Sequence, residues 1–298
     1  MAKKGKIPPP KDPNEALREM EKPEIKWRSI GLIVAAFVVL WATAAMMYSY
    51  SEGGVLGYVS LGVVGVLTIV AIGFGIYIWR LTKRSRGIAD ILAEATDAEG
   101  RKRALEKLEA GDGKDALNAL ARAQLVSRES PLEAVRILEG VDIDKAPAVV
   151  QDDVRCNLAL LYLMQGKAKE ARDLADKIRL DRQPNAKAKG LYAAVCAEAF
   201  ARTGSPHEAD KLLETYDADD ASFGEVQALL YRAQVYAAMA NKKRGRAQTA
   251  MNRLAKLDPN QLAPFLGKGA RPIYASMAQK ALKAQGMAPK PKMKIQRR

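Results

Sequence analysis

The chain has 298 residues and a formal net charge of +14, with one histidine and two cysteines. That length accommodates about two domains, and a single histidine, His207, excludes a zinc site of the HExxH kind. Between Ser29 and Trp79 the only ionisable carboxylate is Glu52, whereas beyond Arg80 the chain is charged, rich in Ala and Leu and poor in β-branched runs. The contrast predicts an all-α protein with a membrane part followed by a soluble helical part.

Residues 1–28 form a Pro-rich arm carrying Lys3, Lys4, Lys6 and Lys11, a composition that predicts disorder in isolation. A first transmembrane helix is expected over 29–50, where the apolar run as a helix is about 33 Å long against a hydrocarbon core of roughly 30 Å. A second is expected over 54–80. Only Ser51, Glu52 and Gly53 separate them, so the pair reads as a transmembrane hairpin. Lys26 and Arg28 precede the first span and Arg80, Lys83, Arg84 and Arg86 follow the second, which predicts cytoplasmic ends in a multi-pass protein of the cell (inner) membrane. Trp27 and Trp79 then fall at the inner interface, Tyr48, Tyr50 and Tyr58 at the outer one, and Trp41 at mid-span, where helix packing accounts for it. The competing reading is a signal peptide cleaved after Ala42-Thr43-Ala44, which leaves the second span in place. Gly31 with Ala35, and Ala71 with Gly75, are small-residue pairs suited to packing within the hairpin. No Asp, Glu, Lys, Arg or His lies within the membrane core of either span, so the hairpin is expected to anchor rather than to conduct. Its basic flanks suit anionic lipid headgroups.

From 87 to 286 apolar residues recur at helical spacing with short polar breaks. Val150, Val154, Leu158 and Tyr162 form one stripe, and Ala171, Leu174, Ala175 and Ile178 form the next after Gly166. The pair recurs: Ala134, Ala171, Ala209 and Ala247 close similar turn strings about 38 residues apart, a period that signals stacked helix pairs. Ser130-Pro131 and Ser205-Pro206 are helix-start chemistry. Leu158, Ala159, Tyr162, Gly166, Ala171 and Ala175, and then Ala197, Phe200, Gly204, Ala209 and Leu213, fall as in a known pattern. In these residues the chain resembles the tetratricopeptide-repeat (TPR) family, in its membrane-anchored bacterial form. The resemblance covers about 113–260; the family tryptophan is absent and the period exceeds the usual value of about 34 residues.

The resemblance implies an α-solenoid of about four helix pairs, with 87–110 and 261–285 as caps and a groove lined by the first helix of each pair. In that geometry the groove presents Asp153, Cys156, Asn157, Glu198, Arg202, Gln227, Tyr231 and Gln234 as the candidate partner-binding set. A carboxylate-gripping variant of the family needs basic groove positions where this chain has Ala119, Leu191 and Val195, so that activity is not expected.

Chemistry is sparse elsewhere. Cys156 and Cys196 lack CxxC spacing and read as buried core residues, Gly111–Lys114 lacks phosphate-loop spacing, and Tyr216–Asp220 lacks the glycine and terminal glutamate of a calcium loop. No cofactor, metal site or enzyme activity is expected. The reading is a membrane-anchored scaffold or adaptor that binds a protein or peptide. The alternative is a membrane-tethered, ribosome- or nucleic-acid-associated factor acting through its basic arms, including the tail 287–298 with Lys290, Lys292, Lys294, Arg297 and Arg298.

Overall fold

The computed structural model describes residues 27–51, 54–95, 97–111, 115–127, 129–183, 185–267 and 270–287. Residues 1–26 of the expected basic arm, Glu52, Asp112–Lys114 and the basic tail beyond Met287 lie outside the described residues, while Trp27 and Arg28, expected in the arm, open the first helix. Among those described the fold is all-helical, with no strand. The chain divides into two compact units, Met1–Lys107 and Leu108–Arg298, so residues 87–107, expected from sequence to begin the repeat domain, group with the first.

The first unit contains α1 (Trp27–Tyr50) and α2 (Val55–Glu94); the division falls within α3 (Ala98–Glu109). No proline interrupts the 40 residues of α2, which is about 60 Å long. Its segment Val55–Arg80 is long and apolar enough to cross a membrane; the apolar stretch of α1 is the shorter Val34–Tyr50. The two helices pack antiparallel. Trp41 Nε1 donates to Thr68 Oγ1 at 3.2 Å, Ser60 Oγ donates to the Ala44 carbonyl at 3.4 Å, and Tyr48 meets Tyr58 edge to face at 5.4 Å. Gly57 permits the approach, since a Cβ there would lie 2.8 Å from Tyr48 Cα. Ala44 and Val64 are buried, whereas Leu32, Ile69, Phe74 and Trp79 are exposed.

The second unit is a run of helix pairs: α4 (Ala116–Val126) with α5 (Pro131–Glu139), α6 (Ala148–Met164) with α7 (Ala168–Ala175), α8 (Ala186–Arg202) with α9 (Pro206–Leu213), and α10 (Val226–Ala240) with α11 (Arg244–Leu257). A short α12 (Ala263–Leu266) and α13 (Pro272–Ala284) follow. Each pair packs on the next, the first helices stacking α4 on α6, α6 on α8 and α8 on α10, and α13 packs on α11. The amphipathic stripes demand this, because no single helix can bury its own apolar face. Ala134, Ala171, Ala209 and Ala247 are completely buried, as are Ala159 and Ala197, so small residues sit where helices approach closely. Leu230, Leu254, Met251 and Phe265 fill the C-terminal core, each burial contributing about 1.5–3 kcal/mol.

Two backbone features repeat with the pairs. Gly166, Gly204 and Lys242 occupy the same turn with φ of 84°, 95° and 61°. In each the following amide closes the helix end onto a carbonyl five residues back, Lys167 to Tyr162, Ser205 to Phe200 and Lys243 to Ala238. The connection entering each later first helix, and the one leaving α11, contains a 3-10 turn: Ile143–Lys145, Leu180–Arg182, Ala221–Phe223 and Pro259–Leu262.

Candidate functional site

The candidate residues lie on three first helices, α6, α8 and α10, and the structure gathers them into separate groups. On α6, Asn157 Nδ2 donates to the Asp153 carbonyl of its own helix at 2.9 Å. The Asp153 carboxylate accepts the Tyr192 hydroxyl from α8. Burial pushes the Asp153 carboxyl above its usual range; the Tyr192 hydrogen bond opposes that shift and the Asp152 charge adds to it. Asp152 is fully buried and bonded by Arg155 Nη1 at 3.3 Å. Cys156, behind them, is buried with Cys196 in one core cluster, and burial raises both thiols, Cys196 to about 12.

Glu198 and Arg202 form the second group. Glu198 is only 2% exposed, and Arg232 of α10, 4% exposed, donates to it through Nε at 2.8 Å. Arg202 Nη1 donates to Glu198 at 2.9 Å and to the Leu163 carbonyl of α6 at 2.8 Å, while its guanidinium stacks 4.9 Å from the Tyr236 ring centroid. Arg232 also donates to Gln261 at 3.1 Å. This network ties three successive first helices together, and its charges are used within the fold.

The third group faces the second helices. Gln227 Nε2 donates to the carbonyls of Ala218 at 2.9 Å and Asp220 at 3.0 Å, bracing the connection before α10. Tyr231 donates its hydroxyl to Asp219, which also accepts from Arg253 Nη1 at 2.7 Å. Burial and the Asp219 charge push the Tyr231 phenol to about 12, so it stays a donor at neutral pH. Tyr231 and Gln234 line a cavity of about 280 Å³ between α9, α10 and α11, with Glu214, Arg246, Thr249 and Arg253 on its walls. Of the candidate set, these two line a common cavity, Tyr231 itself being buried at its base.

Several residues of these networks escaped sequence reasoning. Arg232 could have been found: it lies on one helical stripe with Ala228 and Val235, where an unpaired charge is not tolerated. Tyr192 and Asp153 are 39 positions apart and nothing local links them. Ala119 and Val195, which occupy the basic positions of the carboxylate-gripping pattern, are core residues and Leu191 is partly buried. His207 is exposed in the first turn of α9. Within Tyr216–Asp220, Asp217 and Asp220 accept the backbone amides of Asp219 and Ser222, a turn-capping use. Among the described residues no three His, Cys, Asp or Glu side chains are grouped to hold a metal. The arrangement can present hydrogen-bond donors, acceptors and both signs of charge to a bound chain. No protein-family model, curated protein or solved structure matches the sequence.

Proposed function

We propose that the protein is a membrane-anchored scaffold or adaptor, without catalytic activity, in which a TPR-like solenoid holds a protein or peptide partner. The observation that carries this is the repetition in the second unit: helix pairs joined by the same turn at Gly166, Gly204 and Lys242 and packed on fully buried alanines. Stacked pairs of this kind expose extended surfaces, and recognition is their general use. The cavity at Tyr231 and Gln234 is the part of the candidate set open to a partner.

In this reading α1 and α2 form a two-span hairpin in the cell (inner) membrane with both ends cytoplasmic. Support comes from the apolar segment Val55–Arg80, the antiparallel packing of α1 on it, and the apolar side chains left exposed. Such a surface suits hydrocarbon and not water. The hairpin raises the local concentration of the binding unit at the membrane.

The test is purification from membranes in mild detergent after crosslinking. A partner in fixed stoichiometry is expected, and Gln234→Ala combined with Arg246→Ala should release it while leaving the protein in the membrane. Finding no stoichiometric partner under several detergent and salt conditions sinks the adaptor reading.

A further inference from the structure

The connections between helix pairs lie on one side of each pair, and their charges alternate along the chain. The segment before α6 carries Asp142 and Asp144 against Lys145, and the segment before α10 carries Glu214, Asp217, Asp219, Asp220 and Glu225 with no base. Between them in sequence, the segment before α8 carries Lys177, Arg179 and Arg182 against Asp176 and Asp181, and is the one with a basic excess. This basic connection forms one wall of a cleft of about 480 Å³, and Gln151 and Arg155 of α6 form the other.

The cleft has a built floor. Arg155 is 9% exposed, and its guanidinium is fixed by Asp152 at 3.3 Å and Gln151 at 3.3 Å, with Asp144 at 3.6 Å on the rim. Asp176, the carboxylate in the lining, is already neutralised by Arg172 at 2.8 Å. Arg182 only reaches buried Asp152 at 4.0 Å. Lys177 and Arg179 are exposed, line the cleft and have no ion-pair partner among the described residues. Two like charges held two residues apart on one connection, with no carboxylate against them, repel one another until an anion enters.

We propose that this cleft is a docking site for a short acidic segment of a protein partner, two or more Asp or Glu carboxylates bound by Lys177, Arg179 and Arg182. Three observations select this occupant. Guanidinium groups match carboxylates in bidentate geometry. The lining contains no aromatic ring on which a nucleobase could stack, the usual source of affinity for single-stranded nucleic acid. A long polyanion following the connections would meet the carboxylates of the segments before α6 and α10, whereas a short acidic segment fits the one basic stretch between them. The cleft shares no lining residue with the cavity at Tyr231, so this proposal and the adaptor reading fail separately.

The experiment uses the full chain in detergent micelles and a fluorescein-labelled peptide with four consecutive glutamates, read by fluorescence anisotropy at fixed salt. The peptide is expected to bind, and its glutamine counterpart is not. Lys177→Glu with Arg179→Glu should weaken binding about tenfold or more, Lys177→Gln with Arg179→Gln should weaken it less, and Lys280→Glu with Lys283→Glu on α13 should leave it unchanged. Gln234→Ala with Arg246→Ala should also leave it unchanged. Absence of binding overturns the proposal, as does equal weakening by the α13 pair, which would report net charge alone. Displacement of the peptide by free glutamate or inorganic phosphate at equal concentration would make this a small-anion site and overturn it. Tighter binding of a single-stranded RNA decamer, lost in the same cleft variants, would assign the cleft to nucleic acid and overturn it too.

Discussion

Asp153 shows how a side chain expected to line a groove becomes half-buried between helices. It faces α8, accepts the Tyr192 hydroxyl and lies next to fully buried Asp152. Burial holds its carboxyl above the usual range of about 3.9 despite that hydrogen bond. In the window between the ordinary value and the raised one, the folded chain keeps a proton that the unfolded chain has released. Stability therefore falls as pH rises through that window and the penalty is complete above it. Asp153→Asn keeps an acceptor for Tyr192 and removes the titration, so its thermal midpoint, followed by circular dichroism in micelles, should decline less between about pH 4 and pH 7 than the parent's. An unchanged pH profile would place the proton elsewhere. Sequence spacing put Asp153 on a first helix, but the partner that sets its chemistry comes from the next pair, beyond the reach of local pattern.

At the scale of elements, the turns between paired helices were the most legible feature and contained one surprise. Gly166 and Gly204 take positive φ because a Cβ is strained there, and the third turn puts Lys242 in the same conformation. A left-handed lysine costs about 1–2 kcal/mol, part of which glycine gives back through the entropy of the unfolded chain. Lys242→Gly is expected to raise stability by about 0.5–1 kcal/mol, and Gly204→Ala to lower it by about 1–2 kcal/mol, in denaturant titrations of the full chain in micelles. The 3-10 turns in the connections were not foreseen, because three-residue elements leave no hydrophobic period to read. Charge alternation in those connections was equally hidden, since its meaning depends on which connections the fold makes neighbours in the chain of pairs.

For the second unit as a whole, the Glu198–Arg232–Arg202 network carries stability across the stack. It links α8 to α10 directly and to α6 through the Leu163 carbonyl. Removing one member of a buried pair leaves an uncompensated charge, so Glu198→Ala should destabilise by about 3–5 kcal/mol, whereas Glu198→Met with Arg232→Leu should lose less than the single change. Equal losses would mean that packing, and not charge, is what Glu198 supplies. Both can be read from the same denaturant titrations.

By itself the sequence determined the all-helical class, the apolar segment over Val55–Arg80 and the positions of the paired helices with their buried alanines. These follow from hydropathy, helical period and turn chemistry, which act over a few residues at a time. Only the tertiary structure decided that Glu198 and Arg202 are internal, that Tyr231 and Gln234 open onto a cavity facing the second helices, and that Lys177, Arg179 and Arg182 share a cleft with Arg155. The reason is physical: a polar side chain on a helix is free or consumed according to what the neighbouring pair brings against it, and that neighbour stands about 38 residues away in the chain.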